Sequence, residues 1–266
     1  MAILSISVRY EKNNNLLFSS FELSSIHLYG LKTTDKSGTA MPKETYEFYI
    51  RAAQQEIEKF LNIKIFKTII EEKIDFYQNE YRHWGYMPVM YPVVKPFELT
   101  GYLGSIKQVT YPKEWLSTRK TNDGYTYYRR MFIVPTQSTD PLQATSVSVL
   151  YHGVLPYTNL MGFVSVPNYW DTIYCTGFDE VPYDILNWIG MVAALPILMI
   201  LGDIIYGMPG MSSMSLSIDG LSQTFNSTAS ATYSAFSARI KEYLAAGKEI
   251  ERKLKYYYKG IVCSSM

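Results

Sequence analysis

The feature that most limits how this chain can fold is ILNWIGMVAALPILMILGDIIYG, residues 185–207, which is apolar on every side of a helical projection. A helix of that kind must be covered all round, by other protein or by lipid. From Trp188 to Gly202, beyond the polar Asn187, it carries no charge over 15 residues, short of the roughly 18 to 20 needed to cross hydrocarbon. Asn187 and Asp203 bracket that part and Pro196 interrupts it. The expectation is a helix buried in a large core or an oligomer, with no membrane partner.

Two further helical segments are available to cover it. From Pro42, a good first helical residue, Tyr46, Tyr49, Ile50, Ala53, Ile57, Phe60 and Leu61 recur at spacings of three and four, and Glu44 suits the positive end of the helix dipole. The last segment runs from near Ser230 to a stop at Gly260. The apolar helix itself starts after Asp179-Glu180 with Pro182 in its first turn, and ends at Gly207-Met208-Pro209-Gly210. Between the first and second helices the pattern changes to short runs rich in Tyr, Val and Ile: KTIIEEKIDFY, GYMPVMYPVV, GSIKQVTYP, YTYYRRMFIVP, SVSVLYHG and WDTIYCTGF. The proline-rich YPVVKP at 91–96 suits a sheet edge or loop.

The predicted fold class is therefore α+β. Long helices near 42–61, 182–206 and 230–258 make a helical core that is discontinuous in sequence, residues 41–62 and 179–260. A mainly antiparallel β-rich subdomain, 63–178, is inserted in it. Residues 1–40 form an N-terminal arm and 261–266 a C-terminal tail.

In the last helix Tyr233, Phe236, Ile240, Tyr243, Gly247, Ile250, Leu254 and Tyr257 alternate at three and four, a heptad-like seam expected to pack on a partner helix of the same or a neighbouring chain. Ala245, Ala246 and Gly247 allow close approach, and charged residues cover the outer faces. The preceding hydroxyl-rich stretch reads as a tight, uncharged turn around Asp219, Gly220 and Ser222. Asp203, late in an apolar helix where the dipole disfavours an acid, needs water or a cation such as Arg239 or Lys241.

Little here suggests catalysis. Lys+Arg 25 against Asp+Glu 24 gives a net charge of +1, too little basic field for a dedicated nucleic-acid binder. The two cysteines, Cys175 and Cys263, form no metal or redox motif and suit a reducing compartment, and MAILSISVRYEKNNN, with one short apolar run and no basic leader, is not expected to act as a secretory signal. His27, His83 and His152 fall in separate segments without metal-ligand spacing. In an alternating strand Glu71, Lys73 and Asp75 share one solvated face rather than a catalytic site. No phosphate-binding loop, dinucleotide fingerprint or nucleophile elbow occurs, so neither enzyme activity nor a cofactor is expected. With 24 Tyr, 12 Phe and only 18% charged residues, the surface suits burial against other subunits.

Three passages, LYGLKTTDKSGTAMPKETYEFYIRAAQQEIEKFLNIKI at 28–65, FDEVPYDILNWIGMVAALPILMILGDIIYG at 178–207 and SMSLSIDGLSQTFNSTASATYSAFSARIKEYL at 213–244, together resemble the head-to-tail adaptor, or connector, proteins of tailed bacteriophages. The resemblance rests on these three passages, and their order gives it its weight. It implies a structural virion protein of the neck, forming a ring of usually twelve copies under the portal. Downstream neck or tail proteins would dock on that ring, and genomic DNA would pass through its channel without sequence-specific binding during ejection. Assembly would take place in the host bacterial cytoplasm. Ile261, Val262 and Cys263 then become candidate portal contacts. A different phage collar, baseplate or capsid-accessory role, and a hydrolase with dispersed carboxylates, are the alternatives.

Overall fold

The computed structural model describes residues 6–8, 16–31, 33–34, 38–77, 86–119, 129–134, 164–206, 213–218, 221–226 and 236–259. The chain divides into two compact units, one of Met1–Asn13 with Asn62–Glu180, the other of Asn14–Leu61 with Val181–Met266. The fold class is α+β, with the α-helices and a two-stranded hairpin in one unit and the two larger antiparallel sheets in the other.

The first unit is built from β1 (Ile6–Val8), β2 (Thr68–Tyr77), β3 (Tyr86–Pro88), β4 (Lys95–Leu103), β5 (Ile106–Thr110), β6 (Leu116–Ser117), β7 (Arg130–Ile133) and β8 (Ser165–Thr176). A five-stranded sheet runs β1-β2-β8-β4-β5 and a three-stranded sheet β3-β7-β6. Every pairing is antiparallel. Residues of both sheets share one core, centred on Tyr169, Trp170 and Tyr174 of β8 with Ile70, Leu99, Met87 and Met131. The rings of Tyr169 and Trp170 meet edge to face at 4.7 Å, and Tyr111 lies against Trp170 at 5.9 Å; such aromatic packing favours one arrangement of the core over others. A bulge between Ile74 and Phe76 is secured by the Asp75 carboxylate, which accepts from the Asn168 amide at 2.7 Å. Asn168 has φ +50°, a left-handed conformation asparagine tolerates.

β4 was not anticipated, because Pro96 and Gly101 disguise it. Pro96 sits at its start beside a bulge between Pro96 and Glu98, where a missing N–H costs least, so β4 is an interior strand of the sheet and only 91–94 remain a loop. SVSVLYHG lies outside the described residues.

The second unit contains α1 (Ser20–Ile26), α2 (Lys43–Leu61), α3 (Tyr183–Tyr206), the hairpin strands β9 (Ser213–Ile218) and β10 (Leu221–Asn226), and α4 (Ser237–Lys259). α1 opens with a capping box, Ser19 and Glu22 bonding each other's backbone amides. The stripe predicted on α2 is largely its buried face: Tyr46, Ile50, Ala53, Ile57 and Leu61, joined by Gln54. Asn62, at φ +56°, ends that helix in the left-handed conformation common after a C-terminus. α2 packs on α3 and α3 on α4. α3 continues through Pro196 without a break and is long and apolar enough, at mean hydropathy 2.1, to cross a membrane by length and composition alone. Ile185, Ile189, Ala193, Ala194, Ile197, Leu198 and Leu201 are buried within the unit, as in the core helix of a bundle.

The hydroxyl-rich stretch departs from expectation. It is not simply a turn before a helix but the two-stranded hairpin β9–β10, with Ile218 opposite Leu221 and Ser213 opposite Asn226. Ser222 therefore belongs to a strand; Asp219 and Gly220 lie outside the described residues. The described part of the last helix begins at Ser237, and residues 227–235, Tyr233 among them, lie outside it.

Candidate functional site

The residues singled out in the sequence centre on α4, where the structure resolves the predicted seam into two parts. Ile240 and Leu254 are buried, Phe236, Tyr243, Gly247 and Ile250 are half-buried, and Tyr257 is 47% exposed while Tyr258 is only 3% exposed. A strict heptad keeps 3.5 residues per turn, but a straight helix turns every 3.6, so the buried line drifts by about half a residue over five turns, enough to choose between adjacent positions. Ile240 and Tyr258, eighteen positions apart, lie on one line after five turns. Tyr257 is thus displaced to the surface beside Tyr256, 71% exposed. The remaining predicted contacts, Ile261, Val262 and Cys263, lie outside the described residues.

At Gly247 α4 passes beside Trp188 of α3 with room for a methyl group, so this position does not demand the close approach expected there. A methyl group at Gly247 would meet the Trp188 indole at 3.9 Å, and Trp188 in turn meets Phe60 of α2 edge to face at 5.5 Å. The three long helices are therefore tied together by one tryptophan.

At the other end of α4, Tyr243 donates its hydroxyl proton to the His27 carbonyl at 2.7 Å, and Arg239 donates to the Tyr29 carbonyl at 3.2 Å. These two bonds fasten the segment after α1 to α4. The His27 ring, 5% exposed, lies between Phe18 and Tyr243 against Gly190 of α3. Desolvation holds its pKa below the usual histidine value, so it serves as a neutral packing group. Arg239 is thus engaged elsewhere, and among the described residues Asp203 has no ion pair, contrary to the pairing expected with Arg239 or Lys241. Partial exposure lets water meet it instead.

Several large apolar side chains of this unit are exposed. Phe21 and Ile26 of α1, Tyr29, Phe48 of α2 and Tyr183 of α3 are 78%, 61%, 76%, 65% and 88% exposed. Large exposed aromatics are typical of surfaces that become buried in assemblies.

A buried carboxylate in the sheet unit escaped the sequence reading. Glu71, Lys73 and Asp75 do share the outer face of β2, but the same alternation turns Glu72 inward, where it is 2% exposed. Its carboxylate accepts from the Tyr174 hydroxyl at 2.8 Å and from the Met90 amide at 3.1 Å. Burial pushes its pKa up, and these two donors oppose the shift. The Tyr174 oxygen also accepts from the Tyr91 amide at 3.2 Å, which closes a hydrogen-bonded network. Among the described residues no group of three or more His, Cys, Asp or Glu is placed to hold a metal ion.

Fold and surface together define a two-unit α+β protein whose discontinuous helical unit carries most of the exposed aromatic residues among those described. No family model matches the chain, and no curated protein matches it. Among solved structures, it is similar to a chain from the neck of an empty gene transfer agent particle computed with C6 symmetry, at 12% identity and a TM-score of 0.44 over 90% of this chain and 94% of that one. It is also similar to a chain from the virion of a native gene transfer agent particle, at 10% identity and a TM-score of 0.43, over 71% of this chain and 82% of the other.

Proposed function

We propose that this chain is a structural virion protein of a phage-like neck, a head-to-tail adaptor that forms a ring, dodecameric in the resemblance, beneath the portal and receives further neck or tail components. The observation that carries this reading is the meeting of the three passages that resemble adaptors. They are separated in sequence by the inserted β-rich segment, yet α2, α3 and the β9–β10 to α4 stretch all belong to one unit. That unit also bears the exposed aromatics expected of a surface that neighbouring subunits cover. A near-neutral chain suits a channel through which DNA slides without being gripped. The protein acts without catalysis or cofactor in this reading, and its place is the virion neck after assembly in the host bacterial cytoplasm.

The test is the mass of the purified protein with and without its cognate portal ring, by native mass spectrometry or light scattering. A defined multi-subunit complex on the portal is expected, weakened by deletion of residues 259–266. A chain that ignores the portal under assembly conditions refutes the adaptor role.

A further inference from the structure

The β9–β10 hairpin is a two-stranded sheet to itself. Its register separates two kinds of residue. Met214, Leu216, Ile218, Leu221, Gln223 and Phe225 occupy one face; Ser213, Ser215, Ser217, Ser222, Thr224 and Asn226 occupy the other. Neither strand contains a charged residue or a proline. An isolated hairpin is marginal in water, and soluble proteins usually blunt an open strand edge with Lys, Pro or a bulge. Here the two six-residue strands pair in continuous register from end to end, and among the described residues no other strand pairs with either outer edge.

From this we infer that β9 and β10 are an assembly element: the outer edge of β9 in one copy pairs with the outer edge of β10 in the next. The occupant must be a second copy because the hairpin has two open edges of equal length. A foreign strand would cover one and leave the other open, whereas copies related by rotation cover both and, on closing into a ring, leave none. Uncharged strands remove the like-charge repulsion that opposes pairing of identical segments. In a closed ring of hairpins one face is inside and the other outside. Where that ring surrounds a DNA channel, which rests on the function proposed above, the hydroxyl face suits the water-filled lumen, since it offers phosphates no fixed charge.

The experiment is hydrogen exchange by mass spectrometry on the full chain, comparing monomeric and assembled fractions identified by sedimentation across a concentration series. Peptides covering 213–226 are expected to exchange roughly tenfold or more slowly once assembled, because the outer-edge amides become bonded. The double variant Ser213→Lys/Ser222→Lys, which puts a charge on each strand at positions that do not face each other within the hairpin, should lose assembly and that protection while α3 and α4 exchange as in wild type. The double variant Ser215→Thr/Thr224→Ser should keep both. A chain that stays monomeric at every concentration overturns the inference, and if it still binds a portal ring the neck reading survives. Assembly without slower exchange in 213–226, or a lysine variant that assembles with wild-type protection, also overturns the inference and leaves a ring held by other surfaces.

Discussion

Replacing Gly190 by alanine should destabilise the helical unit, although the same change in an ordinary helix would stabilise it by about 1 kcal/mol. The added methyl carbon would lie 1.9 Å from His27 Nε2, 2.4 Å from Cδ2 and 2.7 Å from Cε1, far inside contact distance. The ring has no open space to swing into: it is 5% exposed, with Phe18 at 6.1 Å and Tyr243 at 6.3 Å meeting it edge to face. Overpacking of this kind costs about 1 to 3 kcal/mol, and expelling the ring adds the loss of two aromatic contacts at about 0.5 to 1.5 kcal/mol each. After the helical gain is subtracted, a net loss of about 2 kcal/mol remains, about thirtyfold in the local unfolding equilibrium. Hydrogen exchange of α3 peptides measures this for the helical unit separately from the sheets. His27→Ala should make room for the methyl, so the double variant His27→Ala/Gly190→Ala should show a favourable coupling of about 1 kcal/mol or more. A Gly190→Ala protein as stable as wild type, or one whose penalty persists without the His27 ring, would refute the account.

Other substitutions probe the remaining contacts. Because burial raises the Glu72 pKa in the folded state, the native protein holds this proton more tightly than the unfolded chain; its contribution to stability is complete in acid and is lost as pH rises through the folded value. Glu72→Gln should flatten that part of a thermal-stability profile against pH, and an unchanged slope would assign it to other groups. Gly177→Ala places a side chain at φ +106° and 2.3 Å from the Phe66 carbonyl oxygen, so thermal unfolding should reveal a loss of about 2 kcal/mol or more in the sheet unit. On α4, Leu254→Ala should cost about 2 to 5 kcal/mol in urea unfolding of the monomer. Tyr257→Ala should stay within about 0.5 kcal/mol there, and equal costs would restore a strict heptad seam.

How much could be read in advance depended on how many forces shaped each segment. α2 was legible residue by residue because one face meets protein and the other water, so composition and packing repeat with the same period. α3 was legible as a buried helix from its uniform apolarity, which carries no information about which side meets which neighbour. β2 and β8 stood out by their β-branched and aromatic content, while β4 was concealed by Pro96 and Gly101, each acceptable only because of tertiary surroundings: a bulge for one, the Tyr169 ring against the other. The Glu72 network was available in principle, since the alternation that exposes Glu71 and Lys73 must bury the residue between them. Its donors, a tyrosine on β8 and an amide in the 89–94 loop, are distant in sequence. The hairpin is masked in the sequence by its serine content, although Met214, Leu216 and Ile218 alternate with serine up to Asp-Gly. Tyr257 went astray through a period error too small to notice over two turns.

The pairing of β2 with β8 also bears on how the protein acquires its native state. α2 and α3 must meet across an insertion of about 120 residues, an expensive loop to close if that insertion is still a coil. Thr68 lies opposite Thr176, Phe178 donates to the Ile65 carbonyl at 3.1 Å, and Lys67 is paired with Asp179, so the ends of the insertion are held together once this ladder has formed. The effective loop then shrinks to about a dozen residues, lowering the entropic barrier to helix docking by about 2 kcal/mol, or some thirtyfold in rate. The sheet thus acts as a folding template for the helices that flank it in sequence, and weakening the β2–β8 ladder should slow the folding of α2 against α3 even where the final stability of the helices is untouched.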